Sequence, residues 1–94
     1  MRFEWDPEKA RRNLKKHGVS FDEAVTTFYD PLSATFDDPD HSDDEQRYIT
    51  IGFSSRGRLL FIGHIERGEV VRIISARPAT AHERKRHEEQ KEKL

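Results

Sequence analysis

Tyr48-Ile49-Thr50-Ile51-Gly52-Phe53, then Arg58 to Glu66, then Glu69 to Arg77, form the stretch that decides the fold. The first segment alternates as a half-buried strand does, and the second is more continuously apolar. Pro78 stops the third, since proline cannot donate to a strand ladder. Ser54-Ser55-Arg56-Gly57 and Arg67-Gly68 read as the two turns of an antiparallel meander. A loop at Ser55-Arg56-Gly57 pairs Ser54 with Arg58 and Phe53 with Leu59. A two-residue turn at Arg67-Gly68 pairs Glu66 with Glu69, His64 with Val71 and Ile62 with Ile73. Alternation then predicts two faces. One carries Ile49, Ile51, Phe53, Leu59, Phe61, Ile65, Val70, Ile74 and Ala76, with Arg72 its only charge, and is expected to receive the helices. The other carries Tyr48, Thr50, Gly52, Leu60, Ile62, His64, Val71, Ile73, Ser75 and Arg77. That mixed face suits an RNA or another substrate, or simply the last helix.

Outward from the meander, a short strand and two helices come first. Asp6 caps a helix with Pro7 at its first position, and Gly18 closes it. Ser20 and Glu23 have the spacing of a capping box. Phe21, Ala24, Val25, Phe28 and Tyr29 give the second helix its core-facing stripe, and Asp30-Pro31 ends it. Ser33 to Phe36 reads as a short strand, and Asp37 to Glu45, which includes His41, as an acidic loop. Thr80 and Glu83 form another capping box. The final helix they open has no apolar residue between Ala81 and Leu94, so its last eight or so residues are expected to fray or to need a partner. The order predicts a two-layer α+β fold, β-α-α-β-β-β(-β)-α with an antiparallel sheet, as one domain over residues 1–94.

The 94 residues are polar, with 33% hydrophobic and 37% charged side chains, but 10% aromatic content argues for a folded core. No apolar run is long enough for a membrane helix, and no secretory leader is visible. Without cysteine there is no disulfide frame, thiolate nucleophile or cysteine zinc site, and a cytoplasmic protein is expected. The net charge of −1 conceals three blocks. Lys9, Arg11, Arg12, Lys15 and Lys16 make the first helix basic, Asp30 to Glu45 is acidic, and residues 46–77 are basic through arginine alone. Arginine is the side chain built for bidentate contact with phosphate or carboxylate. Solvated strand-edge charge is the plainer reading of the same bias.

Individual residues divide in the same way. Arg77, at a strand end just before the helix N-terminus at Thr80, is placed to hold a phosphate, or to pair with an acid of the 37–45 loop. Arg72 on an apolar face reads most simply as the partner of a carboxylate. His64 is a candidate general acid or base, or a half-buried structural histidine. His17 at a helix C-terminus is explained by the dipole alone. His82 and His87 are five apart and share no ligating face, so no metal site is predicted.

Phe3-Glu4-Trp5-Asp6, Lys15-Lys16-His17-Gly18-Val19-Ser20-Phe21, Ala24, Phe28 and Asp30-Pro31 together resemble the BrnT toxin family. Glu45-Gln46-Arg47-Tyr48, Gly52, Gly57-Arg58-Leu59 and Arg72-Ile73-Ile74-Ser75-Ala76-Arg77 continue the resemblance to about residue 86. It implies a RelE-like fold and a type II toxin that cleaves RNA and stops translation. It implies no cofactor and no metal, the RNA's own 2′-hydroxyl attacking the phosphate. It further implies a BrnA-like ribbon-helix-helix antitoxin, with operator DNA bound only through the complex. On this reading Arg77 and Arg47 stabilise the phosphate and His64 moves a proton, with Arg58 and Arg72 as further candidates. Lys15, Lys16, Tyr48 and Ser75 are the expected substrate contacts. The competing expectation is a non-catalytic module that docks a DNA-binding partner.

Overall fold

A computed structural model describes residues 1–40 and 45–92, the last two by backbone alone. His41, Asp43 and Asp44 of the acidic segment, and Leu94, lie outside the described residues. The order is β1 (Arg2–Glu4), α1 (Pro7–His17), α2 (Phe21–Thr27), β2 (Ala34–Asp37), β3 (Arg47–Phe53), β4 (Leu59–Arg67), β5 (Val70–Pro78) and α3 (Ala81–Glu92). The strands form one sheet in the order β1-β5-β4-β3-β2. The expected α+β architecture is therefore present, with one correction. β1 pairs in parallel with β5, Phe3 opposite Val71, so the sheet is mixed rather than purely antiparallel.

Local chemistry sets the helix ends as expected. The Asp6 side chain accepts from the Glu8 amide, and Gly18 takes the left-handed conformation (φ 70°) with its N–H bonded to the Leu14 carbonyl. Ser20 Oγ accepts from the Glu23 amide at 3.0 Å, but the Glu23 carboxylate turns away to Ser54 and Arg58, so only half of that box forms. The Thr80–Glu83 box closes in both directions, at 2.8 and 3.1 Å. Tyr29, expected in the core stripe, is exposed, because α2 ends before it.

The first hairpin has the expected register, Phe53 opposite Leu59 and Tyr48 opposite His64. The second does not. Its turn is Gly68-Glu69, flanked by Arg67 opposite Val70, with φ +61° at Gly68 and no positive φ at any non-glycine residue. Glycine first and an ordinary residue second is the type II′ arrangement. His64 consequently faces Ile73, not Val71. Further along, Gly63 pairs with Ser75, which leaves Ile74 as an extra residue in β5. That bulge reverses the alternation beyond it. Arg77 and Ser75 therefore lie on the face opposite His64, and the expected shared face is corrected.

The two faces also exchange roles. α1 and α2 cover the Leu60, Ile62, His64, Val71, Ile73 and Ala76 side, where Val19, Phe21 and Ala24 complete a buried cluster supported by Phe3, Trp5, Ala10 and Phe28. Gly52 opens that face to α2, since a Cβ there would stand 2.8 Å from Ser33 Cβ and 3.1 Å from Thr27 Cγ2. Buried Thr50 and His64 satisfy each other there at 2.8 Å, and Thr35 adds a second hydroxyl at 2.7 Å. The other face, with Arg47, Arg72 and Arg77, looks away from α1 and α2. Three guanidinium groups resist burial under helices.

Candidate functional site

β1 pairs only with Val70–Arg72 of β5 and leaves the rest of that edge uncovered. Asn13 of α1 fills the gap like a short strand. Its Nδ2 donates to the Ala76 carbonyl at 2.8 Å and its Oδ1 accepts from the Ala76 amide at 3.0 Å. The last turn of α1 is thereby fixed beside the open face. At the other end the Thr80–Glu83 box turns the chain from β5 into α3.

Between α3 and the sheet lies a groove of roughly 790 Å³. Ile49, Ile51, Phe36 and Phe61 form its apolar floor, and Arg77, Glu83, Arg86 and His87 line it from β5 and α3. Asp38, Asp40, Ile49, Phe61 and Arg77 are shared with a smaller recess of roughly 260 Å³, which adds Ser75, Gly63 and His17. Gly63 leaves room for the Ser75 hydroxyl: a Cβ there would fall 2.7 Å from Ser75 Oγ, which would have to turn away.

Arg77 is the best-ordered cation of the site. Its guanidinium carbon stands 4.5 Å over the Phe61 ring. Nη1 and Nη2 donate to the two Glu83 oxygens, each at 2.9 Å, and Nη1 donates also to the Pro78 carbonyl. The Arg77 hydrogen bonds hold the Glu83 carboxyl down at about 2, and the same pair raises Arg77. Three of the five guanidinium N–H groups are thus engaged, which leaves Nε and one Nη2 hydrogen for an anion. The Arg77 side chain is 39% exposed, so it is both oriented and reachable.

The other predicted residues separate. Arg47 is half-buried on the same face, opposite Ile65, with no ion-pair partner among the described residues. Arg72 faces the same way and pairs with Glu4 of β1 at 2.6 Å. Ser75 is in the recess. Lys15 and Lys16 are exposed on the last turn of α1. Arg58 is elsewhere: it clamps buried Glu23 at 2.9 and 2.5 Å and donates to the Gly18 carbonyl at 2.9 Å. Arg58 first, assisted by Ser54 and Arg56, lowers the Glu23 carboxyl despite its burial. Tyr48 stacks on His64, ring centroids 5.9 Å apart, on the helix-covered face. His64 is fully enclosed, and burial pushes its imidazole down to about 4. Neither ring reaches the groove from that side of the sheet.

Three members of the site were not legible as such. His17 has an adequate explanation at a helix end and enters the recess only because Asn13 holds α1 on the β5 edge. Phe61, which alternation alone places under the helices, lies on the groove floor. His87 is 5% exposed, edge-on to Phe53 at 6.0 Å, with neither ring nitrogen hydrogen-bonded among the described residues. The twelve-residue α3 offered no apolar pattern to anticipate that burial. Among the described residues no group of three or more His, Asp or Glu could hold a metal ion, and no helix is long and apolar enough to cross a membrane.

The crystal structure of the Brucella abortus ribonuclease toxin BrnT superposes with a TM-score of 0.66, at 23% sequence identity. The match covers 85% of this chain and 97% of that one, so the two share a fold. No curated protein sequence matches the chain. A family model described as "Ribonuclease toxin, BrnT, of type II toxin-antitoxin system" matches residues 5–83, which include β1's neighbour Trp5, all of β5 and the turn into α3. An arginine-bearing groove on this fold and a family match over most of the sequence lead to one conclusion: the chain belongs to the BrnT family of type II ribonuclease toxins.

Proposed function

We propose that the chain is an endoribonuclease of RelE-like topology that cleaves RNA by attack of the substrate's own 2′-hydroxyl, without a metal ion, and so inhibits translation. The observation that carries this reading is the Arg77 guanidinium, held over Phe61 by Glu83 at the edge of an open, apolar-floored groove. RNA attack requires positive charge where the phosphorane forms, and a pre-oriented guanidinium supplies it without reorganisation. Single-stranded RNA is read largely by splayed bases that stack on aromatic rings, and Phe36 and Phe61 offer such surfaces beside the arginine. Arg47 and Arg72, on the same face, and Lys15 and Lys16, on α1, extend the positive surface along which the backbone would run. Ser75 donates to a non-bridging oxygen. His64, Tyr48 and Arg58 hold the scaffold.

Membership of a type II system implies an antitoxin partner. We assign it to the BrnA-like ribbon-helix-helix class, covering the groove and carrying the complex to operator DNA in the cytoplasm. The 94 residues act as one toxin domain, and the end of α3, which has no apolar side, is completed by that partner. A map of RNA 5′ ends in bacteria expressing the chain, beside an Arg77→Ala control, tests the reading. New ends with the unmutated chain alone support it. Equal profiles with folded, soluble protein favour a non-catalytic docking module.

A further inference from the structure

His17 closes the recess that Arg77 and Ser75 share. Two clamps fix its backbone. On one side Asn13, a turn earlier, is buried and doubly hydrogen-bonded to Ala76, the residue between Ser75 and Arg77. On the other side Gly18 donates to the Leu14 carbonyl at 2.8 Å, and its own carbonyl accepts from Arg58, which buried Glu23 holds. The imidazole is half-buried, so it is reachable from the recess yet carried on a rigid helix end. Asp38 and Asp40 form part of the same wall. The arrangement brings together an imidazole, a hydroxyl and a guanidinium on a floor of Phe61 and Ile49. These are the groups a phosphodiester cleavage needs: one to take a proton and two to bind the anion. A cation at the helix C-terminus is already supplied by Lys15 and Lys16, and Asn13 and Gly18 do the anchoring.

We propose that His17 is the general base of the site, a role that rests on the ribonuclease reading above. A neutral His17 imidazole takes the proton of the 2′-hydroxyl. The 2′-oxygen then forms a bond to the adjacent phosphorus while the bond from phosphorus to the 5′-oxygen breaks. Arg77 and Ser75 hold the non-bridging oxygens. The departing 5′-oxygen takes a proton from water, so the products are a 2′,3′-cyclic phosphate and a 5′-hydroxyl. His17 then returns its proton to solvent.

The test uses the purified full chain with H17A and H17Q, and two oligoribonucleotides. One has ordinary phosphodiesters; the other carries sulfur in place of the bridging 5′-oxygen, a leaving group that needs no proton. Both variants are expected to lose on the order of 10²–10⁴ in rate on both substrates. They should still bind a 2′-deoxy oligonucleotide as the parent does, and imidazole in the buffer should restore part of the H17A rate. Cleavage by H17A at the parental rate overturns the proposal while leaving the ribonuclease reading intact. A deficit that disappears on the sulfur substrate also overturns it, since His17 would then be an acid. A parent chain that cleaves neither RNA refutes the ribonuclease reading and this proposal with it.

Discussion

Acidification from pH 7 to pH 5 should remove about 2 kcal/mol of stability through one side chain, His64. The imidazole is fully enclosed on the helix-covered face between Phe28, edge-on at 5.0 Å, and Tyr48, stacked at 5.9 Å. Nε2 meets Thr50 Oγ1 at 2.8 Å, and Nδ1 has no hydrogen-bond partner among the described residues. The nearest carboxylate, Glu66, stands 3.5 Å from Nδ1 on the exposed end of β4 and does not offset the lost hydration. Burial lowers the folded-state pKa from 6.5 to about 4. The unfolded chain therefore binds a proton near pH 6.5 that the folded chain refuses until about pH 4. Stability from this group is complete above the unfolded value and declines as pH falls through the window between the two. The full difference is about 3 kcal/mol, of which about 2 kcal/mol lies between pH 7 and pH 5. Glu23 and Glu83 have lowered pKa values, so their stabilising pairs weaken only at lower pH, below the ordinary carboxylate value. Urea unfolding of the parent chain and His64→Leu at the two pH values isolates the effect, because the other ionisable groups are common to both. Thr50 keeps a hydroxyl partner in Thr35 when the ring is removed. The parent should show the loss and the variant should show little of it. The same pH dependence in both chains would refute the reasoning.

Arg58→Met should cost about 3 kcal/mol, because it strands the Glu23 carboxylate, 5% exposed, without its main partner. Denaturant unfolding of the parent and the variant checks it. Gly52→Ala should cost about 1–3 kcal/mol by forcing Ser33 and the end of α2 from the sheet, since Ser33 Cβ and Thr27 Cγ2 stand 2.8 and 3.1 Å from the new methyl position, and thermal unfolding reads it. His87→Leu should raise stability by about 1 kcal/mol, since both buried ring nitrogens lack hydrogen bonds among the described residues, and a calorimetric scan would show the higher midpoint.

Local signals in the sequence announced the elements well. Asp6-Pro7, Gly18, Ser20 and Thr80–Glu83 each act within one helical turn, and each forms at least part of the expected cap. The first hairpin was equally legible, because Gly57 fixes its loop and hence its register. The second hairpin misled at two points. The choice between Arg67-Gly68 and Gly68-Glu69 depends on where the positive φ falls, which the residue names leave open. The bulge at Ile74 has no signature in an apolar run of Ile73-Ile74, yet it decides which face Arg77 joins. A one-residue change of phase moves every later side chain across the sheet. That is why plain alternation puts His64 and Arg77 on one face while the bulged strand puts them on opposite faces. The arginine bias marks the strands that carry Arg47, Arg72 and Arg77, whereas the contact of Asn13 with Ala76, which ties α1 to the β5 edge, joins residues far apart in the sequence.

The central claim is that the Arg77 groove cleaves RNA through its own 2′-hydroxyl. The most direct measurement is incubation of the purified chain, in the presence of a chelator, with one oligoribonucleotide and with its counterpart bearing 2′-deoxyribose at the cleaved position. The account predicts cutting of the first, with a 2′,3′-cyclic phosphate end, no cutting of the second, and a rate lower by on the order of 10²–10³ for Arg77→Ala. Cleavage of both substrates alike, or a full rate in Arg77→Ala, would contradict it.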